Sequence, residues 1–343
     1  MLNKKSIKQY AQRLILFLHI IQTWKLNEIR KLVRVKKIST PDEWLDRKIG
    51  NNKIVFISHY NRNGKIQECI KRIIHSCITA KYNVFIISSL LSNEAIEWCQ
   101  NHSVGFMIRK NQGRDFGAFQ DAWLYLSKNP MFKEYTNLIL LNDSVYPLEN
   151  LIDTTWSKFL VGESNKVVGL TDSYQNGYHL QSYALNIPKL VINMDWWEKF
   201  WLNYPSWGGT AVAIKYGEIG LSQLIIQNNI ELKAIHSIIE LRSYSASEEF
   251  YNEIKSTCSE YASKLILSTI LQTFNQSISK ISPTHHLAIP LLIMGFPFIK
   301  RDLLEANESC CIDPLLLVGL KESWLIKSEL PEYLKPKPIG YKN

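Results

Sequence analysis

No apolar run near the start of this chain approaches the roughly 20 residues that a bilayer-crossing helix needs. The longest, residues 14–21 (LILFLHII), carries His19 inside it and has no small-residue cleavage site after it, so neither a transmembrane helix nor a secretory signal is expected. Cysteine is sparse: Cys69, Cys77, Cys99, Cys258, Cys310 and Cys311 form no CxxC pair. That usage suits reduced thiols in a cytoplasmic protein and excludes a disulfide framework or a zinc-ligand spacing. A GxGxxG turn is missing, which argues against a dehydrogenase-type dinucleotide site. The absence of GxxxxGK[ST] excludes a P-loop NTPase, and HExxH and GxSxG are missing too. There is no internal repeat and no long low-complexity tract.

What is present is an ordinary globular balance: 343 residues, 46% hydrophobic and 21% charged, enough for two domains or one large α/β unit with appendages. The net charge of +9 is not evenly spread, because the first fifty residues hold twelve Lys and Arg against four Asp and Glu. The remainder is close to neutral, which argues against a nucleic-acid-binding body. Residues 1–40 read as a basic helical segment, with Leu14, Leu16, Phe17, Ile20, Ile21 and Trp24 at helical spacing. Such a helix either lies on an anionic membrane face or packs on the body with a solvated basic side.

From Lys53 the pattern becomes alternating strands and helices. Short β-rich runs fall at 54–57, 84–87, 106–108, 138–141, 167–170 and 183–187, with an apolar helical stripe from Ile66 to Ile78 and an N-cap at Ser92. This order predicts a Rossmann-type α/β fold, a mostly parallel sheet flanked by helices. Helical periodicity dominates after Tyr216, in 219–226 and 251–274, and the Pro- and Lys-rich end reads as an irregular surface tail. The expected organisation is a basic segment over 1–49, a ligand-binding domain over 50–240 and a helical region over 241–343.

In a sheet of this kind ligands sit beyond the carboxyl ends of the strands. Polar residues concentrate there: Ser58-His59-Tyr60-Asn61, then 111–118 (NQGRDFGA), Asn142-Asp143-Ser144, Thr171-Asp172-Ser173, His179-Leu180-Gln181-Ser182 and 217–222 (GEIGLS). The concentration marks a site without identifying its ligand.

The strand followed by HYN, then NQGRDFGA, LILLNDS, GLTDS, HLQSY and EIGLS, together with PTHH at 283–286 and MGFPFIKR at 294–301, resembles the rhamnan-synthesis F family. The resemblance covers about residues 53–305. It implies a bacterial glycosyltransferase with a GT-A-like nucleotide-sugar fold. The implied reaction moves rhamnose from dTDP-rhamnose onto a cell-surface polysaccharide or a lipid-linked glycan, a β-linked donor giving an α-linked product by inversion. The familiar DxD turn is reduced here to Asn142-Asp143-Ser144, which bears on whether Mg²⁺ or Mn²⁺ is used.

Transfer from a nucleoside diphosphate needs a cation or fixed donors for the charge that grows on the phosphate, and a base for the acceptor hydroxyl. Glu218 is the candidate base, its alternative being an acid favoured at a helix N-terminus; Asp172, which also follows a strand, is the rival. Asp143 is the candidate metal or diphosphate ligand, its alternative an Asx-turn closing its strand. Asn111, Gly113, Arg114 and Asp115, together with Asn142, Ser144, His179 and Gln181, are candidate donor-binding residues. Arg114 suits phosphate by its planar fork, whereas Asp115 serves equally as an N-cap or first-turn acid. Trp196, Trp197, Trp201 and Trp207 would stack on sugar or fill the core. His285-His286 lacks metal-ligand spacing and could at most touch phosphate. With the basic segment, the expected setting is the cytoplasmic face of the membrane.

Overall fold

The structure, a computed structural model, describes residues 34–41, 52–148, 150, 151 and 154–305. The basic stretch up to residue 33 and the tail from 306, with Cys310 and Cys311, lie outside the described residues.

Strands β2 (Lys53–His59), β3 (Asn83–Ser88), β4 (Gly105–Arg109) and β5 (Asn137–Asn142) are near-continuous apolar runs, as strands covered on both faces must be. They pair in parallel, β3 with β4, and β2 with both β3 and β5. Next to β5 comes β9 (Ala184–Pro188), antiparallel to both β5 and β7 (Lys166–Ser173). The far edge is β10 (Glu231–His236), parallel to β7, and the short β8 (His179–Leu180) pairs antiparallel with the end of β7. The expected mostly parallel sheet is therefore present, with β9 reversed within it and the edge strand Val35–Ser39 reversed against β4.

The chain runs β2–β3–β4 towards one edge, then returns to lay β5 on the opposite side of β2. The reversal makes the carboxyl ends of β2 and β5 the topological switch point, where sheets of this class open for a ligand.

Alternate side chains along each strand feed two cores. Val55, Ile57, Val84 and Ile86 face the helix Glu68–Thr79, with Cys69, Ile70, Ile73 and Cys77, and the C-terminal helices through Ile266, Ile270, Ile289 and Leu291. Ile54, Phe56, Phe85 and Ile87 face the helix Arg114–Leu126 and the helix Asp195–Asn203. The C-terminal helices thus share a core with the sheet. Trp197 and Trp201 are fully buried against the Arg114–Leu126 helix, so these two tryptophans are core.

Several local expectations change. Val35–Ser39, read within a helical segment, is strand β1, antiparallel to β4 on the sheet edge. Its alternation is masked by consecutive lysines, which an edge strand carries comfortably. The stretch 251–274 is two helices, Glu248–Thr257 and Glu260–Phe274, because Ser259 caps the second through the amide of Ala262. Ser92 caps its helix as expected, accepting from Ala95 N at 3.2 Å.

One further pairing matters for the site. Strand β11 (Phe298–Lys300) lies antiparallel to β6 (Val145–Pro147), with Lys300 opposite Val145. The end of the described chain is thereby fastened beside Ser144.

Candidate active site

The parallel register of β2 and β5 sets Ser58 level with Asn142. Asp115, in the first turn of the Arg114–Leu126 helix, fills the gap above them: Ser58 Oγ donates to its Oδ1 at 3.0 Å and Asn142 Nδ2 to its Oδ2 at 2.8 Å. The carboxylate is therefore held by two other elements and does not cap its own helix. The Asp115 pKa is raised to about 6, by burial first and then by the like charge of Asp143, with Ser58, Lys300 and Asn142 pulling the other way.

Asp143 is the first residue past β5. Its backbone N–H donates to Ser58 O at 3.1 Å and its Oδ2 accepts from the Tyr60 N–H at 2.8 Å, which ties the ends of β2 and β5 together. Ser144 Oγ donates to Asn142 Oδ1 at 2.5 Å, and Lys300 Nζ donates to Ser144 Oγ at 2.8 Å. The Lys300 ammonium lies 5.0 Å from the centre of the Tyr183 ring. Burial lowers its pKa, while the charges of Asp302, Glu218, Asp115 and Asp143 hold it up. Four carboxylates, three of them from segments distant in sequence, thus act on one ammonium.

Glu218 comes from a π-helical turn, Ala213–Ile219, a distortion frequent at functional sites. Gly217 makes the approach possible, since a Cβ there would stand 2.5 Å from the Phe116 ring. Ser182 N donates to Glu218 Oε1 at 2.6 Å, and His179 Nε2 lies 3.9 Å from Oε2. The His179 ring is oriented by Nδ1 against Gly177 O at 2.8 Å. Gln181 is bonded to Thr171, whose hydroxyl also contacts the Tyr183 hydroxyl at 2.7 Å.

Other expected residues stand apart. Asp172 is buried, and its carboxylate accepts from Ile238 N at 2.7 Å at the start of the helix Ile238–Ser245. It is bonded at that junction, and with Glu218 its charge acts on the Tyr183 hydroxyl. Asn111 and Arg114 are exposed on the rim. Gly113 is packed on Ser206, and both Gly113 and Arg114 have positive φ, 77° and 55°. Sequence reasoning set Ser58 and Tyr60 in a polar turn without giving either a role, and it gave Lys300 none. The FPFIKR run was visible as a motif, but a strand of three residues gives no periodicity to place its lysine. His285 belongs to the same corner, its Nε2 3.0 Å from Asp302 Oδ2.

Among the described residues no cluster of three His, Cys, Asp or Glu side chains could hold a metal ion. Both Asp115 oxygens are taken by Ser58 and Asn142, and an ammonium stands among the carboxylates. This donor set does not fit a resident Mg²⁺ or Mn²⁺.

A doubly covered, mostly parallel α/β sheet with polar and charged side chains at its switch point defines the class of α/β proteins that take their ligands at the carboxyl ends of the strands. The family model for rhamnan synthesis protein F matches residues 83–269, more than half of the chain, and the chain belongs to that family. It is also similar to the virulence protein VirA of Vibrio anguillarum (strain ATCC 68554 / 775), 26% identical over 207 residues, which span 60% of this chain and 63% of that protein. Among solved structures it is similar to the mannosyltransferase PcManGT from Pyrobaculum calidifontis, solved in complex with GDP-Man and Mn²⁺. There the identity is 9% and the TM-score 0.35, over 83% of this chain and 79% of that one. A likeness that remote adds nothing to the assignment.

Proposed function

We propose that the protein is an inverting glycosyltransferase that takes a sugar from a nucleoside diphosphate donor, rhamnose from dTDP-rhamnose by its family, and places it on a glycan of the cell surface or on its lipid-linked precursor. The observations that support this reading are the Lys300 ammonium bonded to Ser144 beside Asp143 at the carboxyl end of β5, and the electrostatic pull of Asp143 and Glu218 on that ammonium. In the proposed reaction the bond between C1 and the diphosphate oxygen breaks, and its electron pair stays on the diphosphate. The acceptor oxygen bonds to C1 from the opposite face, and its proton passes to the Glu218 carboxylate. Ser182 N–H and His179 hold that carboxylate in place.

The side next to Glu218 suits a glycan acceptor. Tyr216 and Trp207 are 46% and 48% exposed, the first in the π-helical turn and the second beside Ser206, against which Gly113 packs. Exposed aromatic faces of this kind stack on sugar rings. The basic stretch ahead of the described residues would bring the enzyme to the anionic cytoplasmic face of a membrane, where a lipid-linked acceptor resides.

The test is to incubate the purified protein with dTDP-rhamnose, and in parallel with a UDP-hexose, in the presence of lipid-linked glycan acceptors. Transfer from dTDP-rhamnose is expected, with Glu218→Gln slowing it at least ~100-fold while donor binding persists, the size ordinary for loss of a general base. Transfer from the UDP-hexose alone would change the donor. Donor binding with neither transfer nor hydrolysis would instead make the protein a non-catalytic partner in polysaccharide assembly.

A further inference from the structure

Lys300 stands where a diphosphate-binding cation would be needed, and it is prepared for that task in three ways. It is fixed: β11 is paired with β6, its Nζ donates to Ser144 Oγ at 2.8 Å, and the next residue's backbone N–H donates to Ser144 O at 2.9 Å. It is incompletely used: an ammonium has three donors, and the hydrogen bond to Ser144 engages one. It is central, with Asp115, Asp143 and Glu218 all acting on it, although they come from three distant parts of the chain. Both Asp115 oxygens accept hydrogen bonds, from Ser58 and Asn142, and Asp143 Oδ2 accepts one from the Tyr60 amide.

We infer that Lys300 is a catalytic residue that binds the distal phosphate of the nucleoside diphosphate and stabilises the charge left there on cleavage, so that the reaction needs no divalent cation. The inference rests on the glycosyltransferase reading and deepens it. When the C1–O bond breaks, the electron pair remains on the phosphate oxygen, and the two remaining Nζ–H groups of Lys300 donate to it. No proton is transferred from Lys300, and none is required, since the leaving diphosphate is already a weak base.

The fixed geometry gives a reason for a lysine here. An ion delivered with each donor must be bound anew, whereas an ammonium fastened by a strand is already oriented when the donor arrives, and fixed donors cost no reorganisation during the reaction. The lysine would also keep the Asp143 and Glu218 carboxylates from repelling the donor diphosphate.

The experiment measures binding of dTDP, UDP and GDP, and of the matching nucleoside monophosphates, by calorimetry with the full chain in EDTA and again in Mn²⁺. Sugar transfer is followed under the same conditions. Wild type is expected to bind a nucleoside diphosphate and to turn over equally well in EDTA. Lys300→Met should weaken diphosphate binding and slow transfer by ~100-fold, the scale of a lost oxyanion donor, leave monophosphate binding within about twofold, and lose nothing further in EDTA. Lys300→Arg, which keeps the charge, should recover most of the binding, and thermal melting of both variants reports on folding. Binding and transfer that appear only with Mn²⁺ and are unaltered in Lys300→Met would overturn the role of Lys300 and leave the glycosyltransferase reading standing. Failure of wild type to bind any of the three diphosphates, with or without Mn²⁺, would overturn both.

Discussion

At the scale of single residues, the buried titratable groups oppose one another. Burial, with the positive charge of Arg301, lowers the His59 pKa to about 4; burial, with Lys158, does the same for His236. Both are 3% exposed. A base depressed in the folded state leaves the unfolded chain binding more protons between pH 6.5 and 4, so stability falls as the pH drops through that window. Each histidine accounts for at most about 3 kcal/mol of that loss. Asp115 works in the other direction: raised to about 6, it binds a proton more tightly when folded, and its share of stability is lost as the pH rises from 3.8 to 6. Two histidines outweigh one carboxylate, so the melting temperature is expected to fall on acidification below pH 6.5. His236→Gln should flatten that slope in a series of thermal melts, and an unchanged slope would remove His236 from the account. Asp115→Asn should raise the melting temperature relative to wild type above pH 6 more than below pH 4.

Residues that directly follow a strongly apolar strand were legible from sequence, which is how Asp143 and the Asn142 turn came into view. The same signal selected Asp172, whose carboxylate in fact serves the Ile238 amide. Following a strand brings a residue to the correct end of the sheet but does not say which neighbour it meets there. Ser58 illustrates the converse: its importance comes from standing level with Asn142 in a parallel register, a relation that a linear reading does not contain.

Among elements, the π-helical turn Ala213–Ile219 governs the placing of Glu218. Extra bulk at Gly217 would press on Phe116, whose backbone adjoins Asp115, so one added methyl disturbs two site residues together. Gly217→Ala is expected to destabilise the fold by about 1–3 kcal/mol, the usual range for overpacking. It should lower transfer more than that loss of stability explains, which urea melts and turnover assays on one preparation can separate. Gly113→Ala has a different cause: a φ of +77° and a contact 2.8 Å from Ser206 leave no room for a side chain. The strands buried on both faces were readable as apolar runs. The edges β1 and β10 were not, because their exposed positions carry lysine and glutamate and their alternation falls below what a short window reveals.

At the scale of the whole molecule, a buried charge network fastens the edge strand to the site loop. Asp121 takes hydrogen bonds from Arg34, just ahead of β1, and from Arg109 at the end of β4; Arg34 also donates to Gln120 and Ser206, and Arg109 donates to Gln112 O, immediately before Gly113. Two guanidiniums on one carboxylate leave no spare negative charge. Asp121→Asn should therefore cost about 3–5 kcal/mol, the penalty of stranding buried charge, seen as a lower urea midpoint. It should also loosen the 111–115 turn, detectable as faster amide exchange there.

The bond between Lys300 and Ser144 joins positions 156 residues apart. During synthesis on the ribosome, Asp115, Asp143 and Glu218 emerge well before the lysine that neutralises them. Until β11 docks, those acids face one another without a counter-charge, and Phe296, Phe298 and Ile299 have yet to be supplied to the core. β11, the last strand among the described residues, therefore brings the counter-charge for acids that the chain has laid down long before it.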